Sequence, residues 1–273
     1  MNAAPQTDWK ALEFKCSREA DRSPNSDEQA NAWYKEANEL YKLGTRKNDE
    51  SIVKQSLALL HKAAERGHVK AMNNIVLAYM NGEGAKQDDA KAVEWAEKLI
   101  ALEVGMGYYH MGVFLQQGIG VKPDRAAALS HFRRAADLGN AQGQLVAGEQ
   151  LLKATAQTAN RATGFDIGRA MLNCALGQGL AKAGHILGGH FLIVVESVAE
   201  ALNAYQAAAK LGHDQSLFKL ATLFEEGRDG VPKDDARAAC YRRLLSELDA
   251  DKSKTFLNLD LICPLPPRKM PGS

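Results

Sequence analysis

Residues 60–88 read LHKAAERGHVKAMNNIVLAYMNGEGAKQD. A helical stretch ends in Ala63-Ala64-x-x-Gly67, where glycine permits the positive φ that turns a chain out of a helix. A second helix starts at His68, with a small residue four places after the glycine (Ala71) and a large apolar one twelve places after it (Tyr79). Small residues let two antiparallel helices approach closely, and the large residue seals the next interface. The stretch closes on Gly82-Glu-Gly-Ala-Lys-Gln-Asp88, a glycine turn ending in an Asp whose carboxylate can cap the following helix.

The same pattern recurs along the chain. Ala135-Ala136-x-x-Gly139-Asn140 and Ala208-Ala209-x-x-Gly212-His213 echo the corner, and Ala175-Leu176-x-x-Gly179-Leu180 is a weaker copy. The small position is filled by Gly143, Ala183 and Ser216, and the large one by Leu151, Phe191 and Phe224. The glycine turn returns as Gly118-Ile-Gly-Val-Lys-Pro-Asp124 and Gly227-Arg-Asp-Gly-Val-Pro-Lys-Asp234. The spacing predicts two-helix units at about 49–81, 88–117, 124–153, 164–193 and 198–227, a terminal unit at 234–258 and an extra helix at 28–43. The corner glycine is missing at Glu103, where Gly105 and Gly107 are expected to take over. The polar stretch Thr155–Gly164 is expected to be a longer loop.

Proline and alanine placement agrees. Of eight prolines only Pro123 and Pro232 fall between residues 25 and 263, both beside glycines, and most of the 43 alanines lie in that region. Proline breaks helix interiors and central strands, whereas alanine is the best helix former. Ile193-Val194-Val195 is the one strand candidate and is too short to pair. The chain therefore reads as all-α. A helix pair cannot bury its face alone, so the units are expected to stack into a right-handed α-solenoid of antiparallel helix pairs with a concave surface. The expected organisation is an N-terminal segment and capping helix at 1–48, the solenoid at 49–258 and an extended, Pro-rich tail at 259–273.

With 273 residues, 45% of them hydrophobic, the chain can bury a sizeable core. A net charge of +1 argues against nucleic-acid binding. The longest apolar run, Phe191 to Val195, is far short of the roughly 20 residues that span a bilayer. The opening MNAAPQTDWK has no apolar signal core, so the chain is either cytosolic or has lost a leader.

The combined pattern AA-x-x-G-x-x-x-A…Y-x-x-G-x-G-[VA]-x-x-D resembles the Sel1-like repeat, a relative of the tetratricopeptide repeat. Residues 60–88, 124–143 and 204–234 carry the resemblance best. Phe14-Lys-Cys16-x-x-Glu19 at one end and Ile262-Cys-Pro-Leu-Pro-Pro267 at the other add a similarity to bacterial immunity proteins encoded beside type VI secretion phospholipase effectors. That resemblance implies a periplasmic protein that binds and blocks a toxic lipase of the phospholipase D type.

The chemistry-bearing residues read mostly as structure. His68 and His213 share one repeat position, which suits helix starting better than metal ligation; His185 and His190, five apart, do not share a helical face. No zinc pattern and no other cofactor motif is present, and Gly118-Ile-Gly-Val-Lys122 lacks the Gly-Lys-Ser/Thr ending of a phosphate cradle. Cys16, Cys174, Cys240 and Cys263 form no CxxC. Buried free thiols are the default; on export a disulfide is open to them, and Cys16–Cys263 is the expected pairing because it would tie both ends down. The tail from Leu259 is expected to be non-helical, with Leu261, Ile262 and Leu265 packed as a cap over the last repeat, or else to be a ligand for a partner's groove.

For partner binding, aromatic residues and arginines of helix A, together with the cluster Tyr108-Tyr109-His110, are the candidates. They are Trp95, Tyr108, Tyr109, His110, His131, Arg134, Tyr205, Tyr241 and Arg242, with Lys98 and Arg243 beside them. The function expected is non-catalytic protein binding, with a phospholipase effector as partner, in the periplasm or alternatively the cytoplasm. A general scaffold is the rival reading, and a Sel1-like cell-wall enzyme a third, disfavoured by the lack of paired cysteines in each repeat.

Overall fold

In a computed structural model the described residues, 13–21, 27–155 and 161–267, form thirteen α-helices and a 3-10 turn at Glu19–Asp21, with no β-strand among them. The chain divides into two compact units, Lys15–Ala147 and Gly148–Ser273, the latter grouped with Met1–Phe14. The first unit holds α1 (Glu28–Lys47), α2 (Glu50–Glu65), α3 (Val69–Asn81), α4 (Asp89–Ala101), α5 (Gly105–Gln117), α6 (Arg125–Asp137) and the start of α7 (Ala141–Thr155). The second holds the rest of α7, then α8 (Arg161–Gly177), α9 (Ala181–Ile193), α10 (Val198–Lys210), α11 (Asp214–Glu226), α12 (Asp235–Ala250) and α13 (Leu259–Ile262). Within each unit consecutive helices pack on one another as stacked antiparallel pairs, the architecture of an α-solenoid.

The helix ends follow local chemistry. Asp88, Asp124 and Asp234 accept backbone N–H bonds from Lys91, Ala127 and Arg237 at 3.1, 3.0 and 2.9 Å. His68 and His213 cap α3 and α11, their Nδ1 atoms accepting from Ala71 N at 3.1 Å and Ser216 N at 3.2 Å. Such a cap stabilises by about 1 kcal/mol.

The corner glycines have φ between 77° and 90° at Gly67, Gly139, Gly179 and Gly212. In the α4–α5 corner Glu103 itself adopts that conformation, at φ 53°. Gly105 and Gly107 do not take over the corner as expected. They lie within α5, and Gly107 is the small contact residue: a Cβ there would stand 2.6 Å from Leu99 Cβ.

Helix α5 has no capping side chain of its own, because its N-cap is Val104. Glu19 supplies one from 87 residues away: its carboxylate accepts from Met106 N at 2.7 Å and from Asn140 Nδ2 at 2.7 Å. Its own N–H donates to Gly139 O at 3.0 Å, so the Phe14–Glu19 motif ends as a strap across two corners of the first unit.

Each unit has its own core. Ile75, Leu99 and Phe114 are fully buried in the first, and Leu217, Leu220, Phe224 and Tyr241 in the second. Of the large positions, Tyr79 and Phe224 are buried, and Leu151 and Phe191 are partly so. Ile193 to Val195 end α9 and turn away instead of forming a strand. The polar stretch from Thr155 is already helical again at Arg161; residues 156–160 lie outside the described residues, as do 1–12, 22–26 and 268–273.

The tail departs from expectation at two points. Leu259–Ile262 makes one helical turn instead of running extended, and Leu261 is 85% exposed instead of packed. Phe256, Leu259 and Cys263 do the burying, and Cys263 O accepts from Gln206 Nε2 at 2.9 Å and from Tyr241 Oη at 3.2 Å. The expected Cys16–Cys263 disulfide is not formed. Cys263 is bonded to Cys240 of α12, with Cα atoms 6.0 Å apart, a separation that suits a disulfide, and no cysteine is free.

Candidate partner-binding site

Burial divides the nine candidate residues. Trp95, His110, Tyr205 and Tyr241 are at most 8% exposed, so their rings belong to the core and not to a contact surface. Neighbouring elements account for this burial. His110 Nε2 lies 2.7 Å from Asn73 Oδ1, and burial lowers its pKa to about 4. Tyr205 fills the space left by Gly188, where a Cβ would stand 2.6 Å from its ring; burial raises its pKa to about 12. Tyr241 spends its hydroxyl on the tail, and Trp95 meets the His61 ring in a T-shaped contact, centroids 5.3 Å apart, with Lys98 Nζ over its face 3.8 Å from the centroid. Tyr109 is half-buried against Phe132, ring centroids 5.9 Å apart.

The structure does bring three of the others together in the first unit. Tyr108 from α5 and His131 and Arg134 from α6 meet at the α4–α5 corner. Tyr108 Oη donates to Glu103 Oε1 at 2.8 Å, Arg134 pairs with the other carboxylate oxygen, and the Arg134 guanidinium lies 5.9 Å from the Tyr108 ring centroid. Tyr108 and His131 are neighbours at 5.8 Å. The Glu103 contact raises the Tyr108 hydroxyl pKa and that of Arg134, while burial lowers that of His131. The buried His131 Nδ1 has no hydrogen-bond partner among the described residues.

In the second unit Arg242 builds a similar group. Its guanidinium grips Glu225 through two bonds of 2.8 and 2.6 Å and lies 4.9 Å from the ring centroid of Phe218, which is 51% exposed. Planar Arg–carboxylate forks of this kind hold the guanidinium in one orientation. The sequence reading missed Glu103, Phe218 and Glu225. Only the first left a signal there, as a glutamate where the repeat has glycine.

Chemically, both groups offer an oriented guanidinium beside an aromatic ring, half-buried Tyr108 in one and exposed Phe218 in the other, which suits protein recognition. Among the described residues no three His, Cys, Asp or Glu side chains are grouped as a metal site, and no helix is long and apolar enough to cross a membrane.

Comparison with known proteins gives this geometry a setting. The Sel1 repeat family model matches residues 20–42, 40–68, 69–103, 105–140 and 214–241. The structure is similar to that of immunity protein PA5088 from Pseudomonas aeruginosa, with 29% identity, TM-score 0.67, and coverage of 93% of this chain and 94% of the other. Immunity protein Pa5087 from the same organism is 31% identical, with TM-score 0.64 and coverage of 93% and 95%. A mouse protein, DAP3-binding cell death enhancer 1, is 27% identical over 187 residues, 67% of this chain; the match spans 36% of the mouse protein's length.

Proposed function

This chain belongs to the Sel1 repeat family, and from that premise we propose that it is an immunity protein that binds and inhibits a cognate antibacterial phospholipase effector of a type VI secretion system. The observation that carries the reading is the likeness to two immunity proteins of Pseudomonas aeruginosa, at about 30% identity over 93% of the chain. The lipase as target follows from the resemblance of both chain ends to the immunity group.

The mechanism proposed is occlusion. Stacked helix pairs form a stiff wall that needs little ordering on binding, so the contact energy is spent on holding the partner. Tyr108 and Arg134, set by Glu103, with His131 beside Tyr108, and Arg242, set by Glu225 beside Phe218, are the anchors. Tyr109 contributes its half-exposed edge. No catalytic step is assigned to this chain. The periplasm is the compartment proposed, and the Cys240–Cys263 disulfide supports it, since such bonds persist where the surroundings are oxidising.

The test is co-expression with the product of the adjacent reading frame, expected to be a phospholipase, both proteins directed to the periplasm. Rescue of growth and a complex of nanomolar affinity are expected. A lipase that stays toxic and does not co-purify would defeat the reading, and recovery of several unrelated partners would favour a general scaffold.

A further inference from the structure

We propose that the cleft formed by α1, α2, α3 and the α3–α4 loop of the first unit is a docking site for a partner-protein segment in which an apolar side chain stands beside a lysine or arginine. The cleft has two lobes. One, of about 160 Å³, is floored by Val53, Leu57, Leu60 and Ala78, with Tyr41 and Leu77 as exposed members of its rim. An apolar cavity of about 150 Å³ holds one benzene ring, so this lobe is the size of a single aromatic or branched side chain.

The second lobe, of about 410 Å³, is lined by Thr45, Asn48, Asp49, Glu50 and glycine backbone. It shares Tyr41, Val53 and Glu83 with the first, so the two are continuous. Asp49, Glu50 and Glu83 bring three carboxylates to it, and no lysine, arginine or histidine lines either lobe. Glu83 is held by neutral groups, accepting from Tyr41 Oη at 2.9 Å and Asn81 Nδ2 at 3.4 Å. Asp49 accepts from the N–H and hydroxyl of Ser51, and its pKa is lowered chiefly by that hydroxyl. Lys47 is the cation whose field reaches Asp49, and it does not line the cleft. No cation lines the cleft itself, so a cation reaching it would meet three carboxylates. An apolar lobe joined to an acidic one selects a segment carrying both side-chain types.

The inference does not depend on the immunity reading. The test is titration of the ¹⁵N-labelled protein with acetyl-Phe-Gly-Lys-amide, acetyl-Phe-Gly-Glu-amide and phenethylamine, followed by amide NMR. Saturable shifts at Gly44, Gly82, Glu83 and Gly84 are expected with the lysine peptide, with binding at least about fivefold tighter than for the glutamate peptide, as loss of one favourable charge contact gives. Glu83→Gln keeps an acceptor for Tyr41 and should leave the thermal midpoint unchanged while weakening the lysine peptide about fivefold. Asn38→Trp, placed to fill the apolar lobe, should abolish binding of both peptides. Absence of saturable shifts, equal response to the two peptides, or phenethylamine binding as tightly as the lysine peptide would overturn the proposal. Growth rescue by the Glu83→Gln protein is a separate readout of the immunity function, so each idea can fail without the other.

Discussion

At the scale of single residues, the histidines set an acid limit on stability. Burial lowers the pKa of His61, His68, His131, His185 and His213, and that of His110 to about 4. The unfolded chain therefore binds protons first as pH falls below 6.5, and stability present above 6.5 is lost toward the folded values. His110 alone accounts for roughly 3 kcal/mol between pH 6.5 and 4. Protonation also turns the His68 and His213 caps from acceptors into donors. Urea unfolding between pH 7.5 and 4.5 should show this decline, and His110→Gln should remove much of its slope. The lowered capping carboxylates Asp88 and Asp234 act in a separate window, below about 3.8.

Glu103 is the other telling residue. A non-glycine residue in the left-handed region costs about 1–2 kcal/mol, whereas an exposed ion pair returns at most about 1. Glu103→Gly should therefore raise the thermal midpoint by a few degrees while weakening partner binding, because Tyr108 and Arg134 lose what orients them. A variant that binds as before would detach Glu103 from recognition. The glutamate was legible in the sequence as a break in the glycine pattern. Its αL geometry and its partners were not, since both depend on where α5 and α6 meet.

At the scale of elements, boundaries were read closely because they rest on local chemistry. The Asp caps, the corner glycines and the small residues four places on specify α2 to α4, α6, α7 and α9 to α12 almost without tertiary information, whereas α5 starts at a corner with no glycine and is capped by Glu19. The misses all need contacts distant in sequence. His110 turns in against Asn73 of α3, Tyr205 against Gly188 of α9, Trp95 against His61 of α2 and Tyr241 against the tail, and Glu19 caps a helix far along the chain. The tail is the clearest case: its cysteine is bonded to α12, 23 residues away. Closing a loop of that length stabilises by about 3 kcal/mol in the chain-entropy account. The Cys240→Ser/Cys263→Ser protein should lose about that much in urea unfolding and should be cut by protease near Leu257, which is 72% exposed. Unchanged stability and unchanged digestion would show that packing of Phe256 and Leu259 alone holds the tail.

At the scale of the molecule, each unit displays an Arg–Glu–aromatic group among its described residues. Reversing the charge in either, by Arg134→Glu or Arg242→Glu, should cost about 1 kcal/mol of folding stability, because both ion pairs are partly open to solvent. Each should weaken an effector complex by about thirtyfold if its group is an anchor, the cost of about 2 kcal/mol typical of a hot spot. Calorimetry on the two variants would tell whether both units or only one takes part.

The glycine joints carry a consequence for how such a chain can change in length. Gly82 and Gly118 stand 36 residues apart, each ending a helix, with Asp88 and Asp124 at the same offset opening the next. A cut at one joint and a rejoining at the other splices like onto like. An in-frame duplication or deletion of that 36-residue module keeps the Asp that opens α4 and the glycine that ends α5, so this lineage can add or shed a layer of wall in one genetic step, with a duplicated α5 going without the Glu19 cap.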